Sequence, residues 1–111
     1  MNIGTRLAQD AIVIIDGAMT TEMDRRGAPM DMEVWGGAAL LSHPDTVREV
    51  HADYVRNGAE VQIACTYNTA PHIIERSSLD VTTHELNTIA LEMARRGIED
   101  AEPDHAVWVA G

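Results

Sequence analysis

The chain has 111 residues and a formal charge of −10, from 18 acidic against 8 basic side chains, and every basic residue is an arginine. That length holds one small domain with a modest core, and that charge would be repelled by nucleic acid or an anionic membrane, which sets both aside as main partners. No apolar run approaches the ~20 residues of a membrane span.

Residues 1–10 read as a polar lead-in, with a short helix over 5–9 covering one end of a sheet. Its opening stretch has no apolar signal-peptide segment, so a cytoplasmic location is expected. Ile12-Val13-Ile14-Ile15 is a continuous apolar run, and residues 11–15 are predicted as a strand buried on both faces. The run stops at Asp16-Gly17. A helix is expected over 20–26, ended by Gly27 and Pro29. A loop with Met30 and Met32 leads to Val34-Trp35, then Gly36-Gly37 and a helical turn over 38–41.

Ser42-His43-Pro44-Asp45 is a helix start, with proline in the first turn and Asp45 near the positive end of the dipole. That helix runs to Asn57-Gly58 with an apolar stripe of Val47, Val50, Tyr54 and Val55, and with His51 at the core edge. Residues 59–65 form the second predicted strand, with Val61, Ile63 and Cys65 on one face, and polar Thr66-Tyr67-Asn68-Thr69 follows it. After a helical turn over 70–76, Thr82 and Glu85 have the spacing of a capping box. The helix beyond carries the stripe Leu86, Ile89, Ala90, Met93, Ala94 and is expected to end near Gly97 or a turn later. Glu102-Pro103-Asp104 is a turn, and residues 106–111 begin a third strand.

Strands alternating with helices mean parallel strands joined by helical crossovers. Two crossovers cannot cover both faces of three parallel strands. The expectation is therefore an α/β chain forming the front of a larger barrel. A carboxylate at the tip of a buried parallel strand is where such enzymes place ligand-binding groups; the other reading of Asp16 is a simple cap. A flavodoxin-like binding module would want a glycine-rich phosphate loop after the first strand, and Asp16-Gly17-Ala18 is none. The five histidines show no metal-ligand spacing, and Glu22, Asp24, Arg25 and Arg26 read as a solvated helix face. Met19, Met23, Met30 and Met32 read as packing filler. The lone Cys65 reads as a buried, inert thiol and rules out a disulfide framework.

The stretch Asp16-Gly17-Ala18-Met19-Thr20-Thr21-Glu22-Met23-Asp24-Arg25-Arg26-Gly27 resembles the opening of the homocysteine S-methyltransferases. The likeness continues through Val34-Trp35, Ala39-Leu40-Leu41, the segment from His43-Pro44-Asp45 to Asp53-Tyr54, Asn57-Gly58-Ala59, Thr66-Tyr67-Asn68 and Val109-Ala110-Gly111. The resemblance implies a (β/α)8 TIM barrel, of which residues 11–111 are the first β-α-β-α-β portion. It implies methyl transfer to the thiol of homocysteine, giving methionine, from a sulfonium, a quaternary ammonium or a methylated cofactor. It also implies zinc, held by cysteines of the later barrel that are absent from this sequence.

By the same resemblance, Asp16 and Gly17 match the segment that contacts the amino acid end of homocysteine. Trp35 matches an aromatic position near the methyl donor, where a ring face stabilises a cationic methyl group. Thr66, Tyr67 and Asn68 match the polar strand end that lines the pocket, and Asn68 leans toward a donor of S-methylmethionine type. Packing on the rim is the other reading of Trp35, Thr66 and Tyr67. The expected partners are homocysteine and the donor, with the rest of the barrel needed for activity. The alternative is a non-catalytic, truncated or split relative that associates through exposed sheet edges.

Overall fold

The structure is a computed structural model that describes residues 2–111. It contains helices α1 (Ile3–Leu7), α2 (Thr20–Arg25), α3 (Ala39–Ser42), α4 (Pro44–Arg56), α5 (Pro71–Arg76) and α6 (Thr83–Ala101), with strands β1 (Val61–Ile63) and β2 (Trp108–Ala110). A 3₁₀ turn, Gly36–Ala38, leads into α3.

The helix ends follow the sequence signals. Asn2 caps α1 by accepting the Thr5 amide at 2.8 Å. Gly27 ends α2 with a φ of 90°, a left-handed conformation that glycine adopts without strain. Thr82 accepts the Glu85 amide at 3.1 Å while the Glu85 carboxylate accepts the Thr82 amide at 2.8 Å, so the reciprocal cap on α6 is complete. Beyond Gly97, α6 continues to Ala101, a full turn past the nearer expected end.

β1 and β2 pair in parallel, Val61 opposite Trp108 and Ile63 opposite Ala110. On the other side of β1, Ile15 bridges Val61, also in parallel. The order across the sheet is thus residues 11–15, β1, β2, with helices making both crossovers. Glu60 locks the first of these junctions. Its carboxylate accepts from Arg6 Nε at 3.0 Å and from the Ile14 amide at 3.1 Å, and its own amide donates to the Ile14 carbonyl at 2.7 Å. The lead-in helix lies two residues earlier than the expected 5–9 and buries no residue, and Arg6 ties it to the start of the sheet.

Two strand expectations are corrected. Residues 11–15 make a single bridge and are not buried on both faces: Ile12 is 84% exposed and Ile15 57%. The run has a neighbour only on its β1 side, so its far edge is open. The second strand is shorter than 59–65, and Ile63 lies exposed although Val61, two residues earlier on the same face, is buried.

The buried side of the sheet faces α4 and α6. Val47, Val50, Leu40, Leu86, Ala90 and Met23 form the core between these layers. The stripe read on α4 is the buried one. His51 is a further correction: it is fully buried, not at the core edge, and its Nδ1 lies 2.8 Å from Gln62 Oε1 on β1. Gln62 points at the helices because alternate residues of a strand face opposite sides. Met23 fills the core, whereas Met30 and Met32 are exposed loop residues and fill nothing. Arg48 of α4 and Asp100 of α6 pair through both guanidinium nitrogens that face the carboxylate. Among the described residues no helix is long and apolar enough to cross a membrane.

Candidate functional site

The loops after residues 11–15 and after β1 leave the same end of the sheet and meet in one cleft. It has a volume of about 330 Å³, and Gly17, Thr20, Trp35, Ile63, Cys65 and Tyr67 are among its walls.

Asp16 ends the ladder in an unusual way. Its amide donates to the Val61 carbonyl at 2.9 Å, the next regular rung. The Ile63 amide, which a continuing ladder would give to the Asp16 carbonyl, goes to Asp16 Oδ2 at 2.9 Å. The carboxylate thus stops the strand with its own side chain, and Oδ1 is buried with no partner. Burial pushes the Asp16 carboxyl up, against the opposing pulls of the Ile63 amide and of His51. Asp16 does not cap the helix that follows, whose N-cap is Met19 without a side-chain bond; its carboxylate ends the strand instead, beside the cleft.

Gly17 is required by Tyr54. A Cβ there would lie 2.8 Å from the Tyr54 hydroxyl oxygen, which itself donates to the Ala18 carbonyl at 2.8 Å. Tyr54 thus fixes the loop that follows Asp16. In the sequence it is legible only as one member of an apolar stripe; the signal was its hydroxyl, which a half-buried tyrosine must place on an acceptor.

Trp35 is held by a five-residue loop. Asp31 and Trp35 exchange backbone hydrogen bonds at 3.2 and 3.1 Å, and Asp31 Oδ1 accepts the amides of Glu33 and Val34. The loop places Trp35 at φ 50° and ψ −123°, a conformation that non-glycine residues avoid. The result is an aromatic corner: the Trp35 and Tyr67 ring centroids are 6.2 Å apart and tilted by 53°.

Thr66 and Asn68 flank Tyr67 on its loop but are not among the cleft's walls. Both are half-buried. Thr69, which the sequence reading left unassigned, is buried and braces this loop: its hydroxyl lies 3.2 Å from the Thr66 carbonyl and 2.5 Å from Asn87 Oδ1 on α6. Asp16, Gly17, Trp35 and Thr66–Asn68 thus all belong to one end of the sheet, with Gly17, Trp35 and Tyr67 on the cleft itself.

The chemistry of the wall does not suit a metal. Among the described residues no three His, Cys, Asp or Glu side chains cluster to hold an ion. Burial pushes the Cys65 thiol up to about 11, so it stays protonated, as the sequence reading expected of an inert thiol. The zinc implied by the resemblance has no fitting ligand set here.

A family model described as Homocysteine S-methyltransferase matches residues 13–111. The chain belongs to the homocysteine S-methyltransferase family. It is 34% identical over 94 residues to the homocysteine S-methyltransferase of Escherichia coli (strain K12), covering 84% of this chain and 30% of that protein. It is 41% identical over 54 residues to the selenocysteine methyltransferase of Astragalus bisulcatus, 49% of this chain and 16% of that one. In structure it resembles the metallated form of the homocysteine methyltransferase MmuM from Escherichia coli, with a TM-score of 0.82 and 29% identity over 99% of this chain and 40% of that one. The family assignment thus rests on nearly the whole chain, while the chain spans about a third or less of the curated family members it matches.

Proposed function

We propose that residues 11–111, after the 1–10 lead-in, are the first β-α-β-α-β portion of a homocysteine S-methyltransferase (β/α)8 barrel, with the later barrel needed for activity. The observation that carries this is the convergence of the loops after Asp16 and after β1 on one cleft with an aromatic corner. In this reading Asp16, with Gly17 keeping the approach open, takes the ammonium of homocysteine. Trp35 and Tyr67 face the cationic methyl group of the donor. The homocysteine sulfur, as thiolate, forms a bond to the methyl carbon while the carbon–sulfonium bond breaks, and the donor leaves as a neutral thioether. Thr66 and Asn68 shape the loop behind Tyr67, and Asn68 favours a donor of S-methylmethionine type. The acidic surface suits small-molecule partners in the cytoplasm rather than nucleic acid or membrane.

A second reading is a non-catalytic component that pairs its open edge with another chain. The exposure of Ile12, Ile14 and Ile15 favours it.

The test is a hybrid in which residues 1–111 replace the matching segment of the Escherichia coli homocysteine S-methyltransferase. Methionine formed by the hybrid from homocysteine and S-methylmethionine, lost on Asp16→Ala and not formed by the chain alone, is the expected result. A folded hybrid without activity overturns the catalytic reading, and a stable oligomer of the chain alone in size-exclusion runs at several concentrations then supports the second.

A further inference from the structure

Three of the buried polar atoms that lack a partner are Asp16 Oδ1, His51 Nε2 and Gln62 Nε2. The Ile15–Val61 bridge places Asp16 beside Gln62 on the same face of a parallel pair. Gln62 in turn meets His51 of α4, Oε1 to Nδ1 at 2.8 Å. Asp16 and His51 are close enough for each to feel the other's charge.

Counting donors and acceptors decides what fits among them. His51 Nδ1–H donates to Gln62 Oε1, so the neutral ring offers Nε2 as an acceptor. Asp16 Oδ1 is a second acceptor, and the Gln62 amide nitrogen is a donor. Two acceptors and one donor are the complement of a water molecule, which donates twice and still accepts. An ammonium cannot accept from Gln62, and a carboxylate cannot donate to Asp16. Turning the Gln62 amide over moves the ring proton to Nε2 and leaves Gln62 Oε1 as the free acceptor, so the count is unchanged.

We propose that Asp16, His51 and Gln62 hold one buried water between the 11–15 run, β1 and α4, and that His51 acts through it as a positioning residue for the Asp16 carboxylate. With Oδ1 tied to this water and Oδ2 to the Ile63 amide, the carboxylate has a single orientation, and Oδ2 is the oxygen left to meet a substrate ammonium. That last consequence rests on the reading of Asp16 as a substrate contact; the water does not.

Nuclear magnetic resonance of the isotope-labelled chain without ligand tests it. The expected result is a cross-peak between the His51 ring protons and a long-lived water, absent in Gln62→Met. The Asp16 carboxyl titration midpoint is expected to rise in Gln62→Met and in His51→Phe, because the charged form loses a donor. A role in packing alone would leave that midpoint in place. If His51→Phe does not fold, Gln62→Met, which keeps the side-chain volume, supplies both readouts. No long-lived water at the His51 ring, or an Asp16 midpoint equal in wild type and Gln62→Met, overturns the proposal. Adding homocysteine afterwards reads the substrate contact separately: its failure to shift Asp16 would leave the water standing, and the reverse holds too.

Discussion

Gly97 of α6 rests against His51 of α4 so closely that a Cβ at position 97 would stand 2.6 Å from the His51 Cβ and 2.7 Å from the Arg48 carbonyl oxygen. Both obstacles are backbone or next to it, so neither can turn aside. Alanine would gain about 1 kcal/mol of helix propensity over glycine, but forcing a methyl group into a closed contact costs about 1–3 kcal/mol. Gly97→Ala is therefore expected to lower the urea midpoint of unfolding. A midpoint that rises would mean the helices separate freely, and that the glycine is no packing requirement.

The cap on α6 predicts a smaller loss. Thr82→Ala removes the hydroxyl that takes the Glu85 amide and frees the Glu85 carboxylate from its return bond. The expected cost is about 1 kcal/mol, with Thr82→Ser close to wild type. Equal losses for serine and alanine in thermal melts would show that the methyl group, not the hydroxyl, matters.

His51 gives stability a pH dependence of known sign. Burial holds its imidazole below the ordinary 6.5, while Gln62 and Asp16 pull the other way and lose. The folded state therefore keeps the ring neutral where the unfolded chain takes up a proton. Its contribution is present above pH 6.5 and is lost as pH falls below that value. Asp16 works in the opposite sense, since its raised carboxyl lets the folded state bind a proton first as acid is added. Subtracting the pH profile of His51→Gln from that of wild type should leave a curve that falls on the acid side of pH 6.5. A flat difference would mean the ring takes up its proton equally in the folded and the unfolded chain.

Local signals carried well from sequence to structure. The capping box, Gly27 and the α4 stripe depend on neighbours within a turn, and each stands where it was read. The expectations that failed depend on what lies across space. Ile12, Ile14 and Ile15 have the composition of an interior strand, but burial needs a second neighbour, and the described residues supply only β1. Gly97 looks like a helix stop because a glycine that permits a close helix crossing is identical in sequence to one that ends a helix. The cleft was partly legible: Asp16 and Tyr67 follow apolar runs that announce strand ends. Tyr54 and Thr69 were not, since each acts through a hydroxyl, Tyr54 on a backbone carbonyl far from it in sequence and Thr69, from its loop, on a side chain of α6.

Trp35 sets backbone strain against what its ring contributes. Its backbone, φ 50° and ψ −123°, lies where glycine is at ease and a side chain is strained, at a cost of about 1–3 kcal/mol. The ring is half exposed, so the burial lost with it is about 2–3 kcal/mol, close to the strain relieved. Trp35→Gly is therefore expected to leave the chain about as stable as wild type. The same change removes one wall of the corner with Tyr67. A cation over an exposed ring gains about 0.5–1 kcal/mol, so binding of S-methylmethionine, followed through the Tyr67 ring resonances, should weaken by about two- to fivefold. Trp35→Phe should keep part of the binding and all of the strain. If Trp35→Gly instead unfolds the chain, the indole is a packing element and the strained loop needs another explanation. If it leaves both stability and affinity unchanged, the strain is real but does not serve the donor.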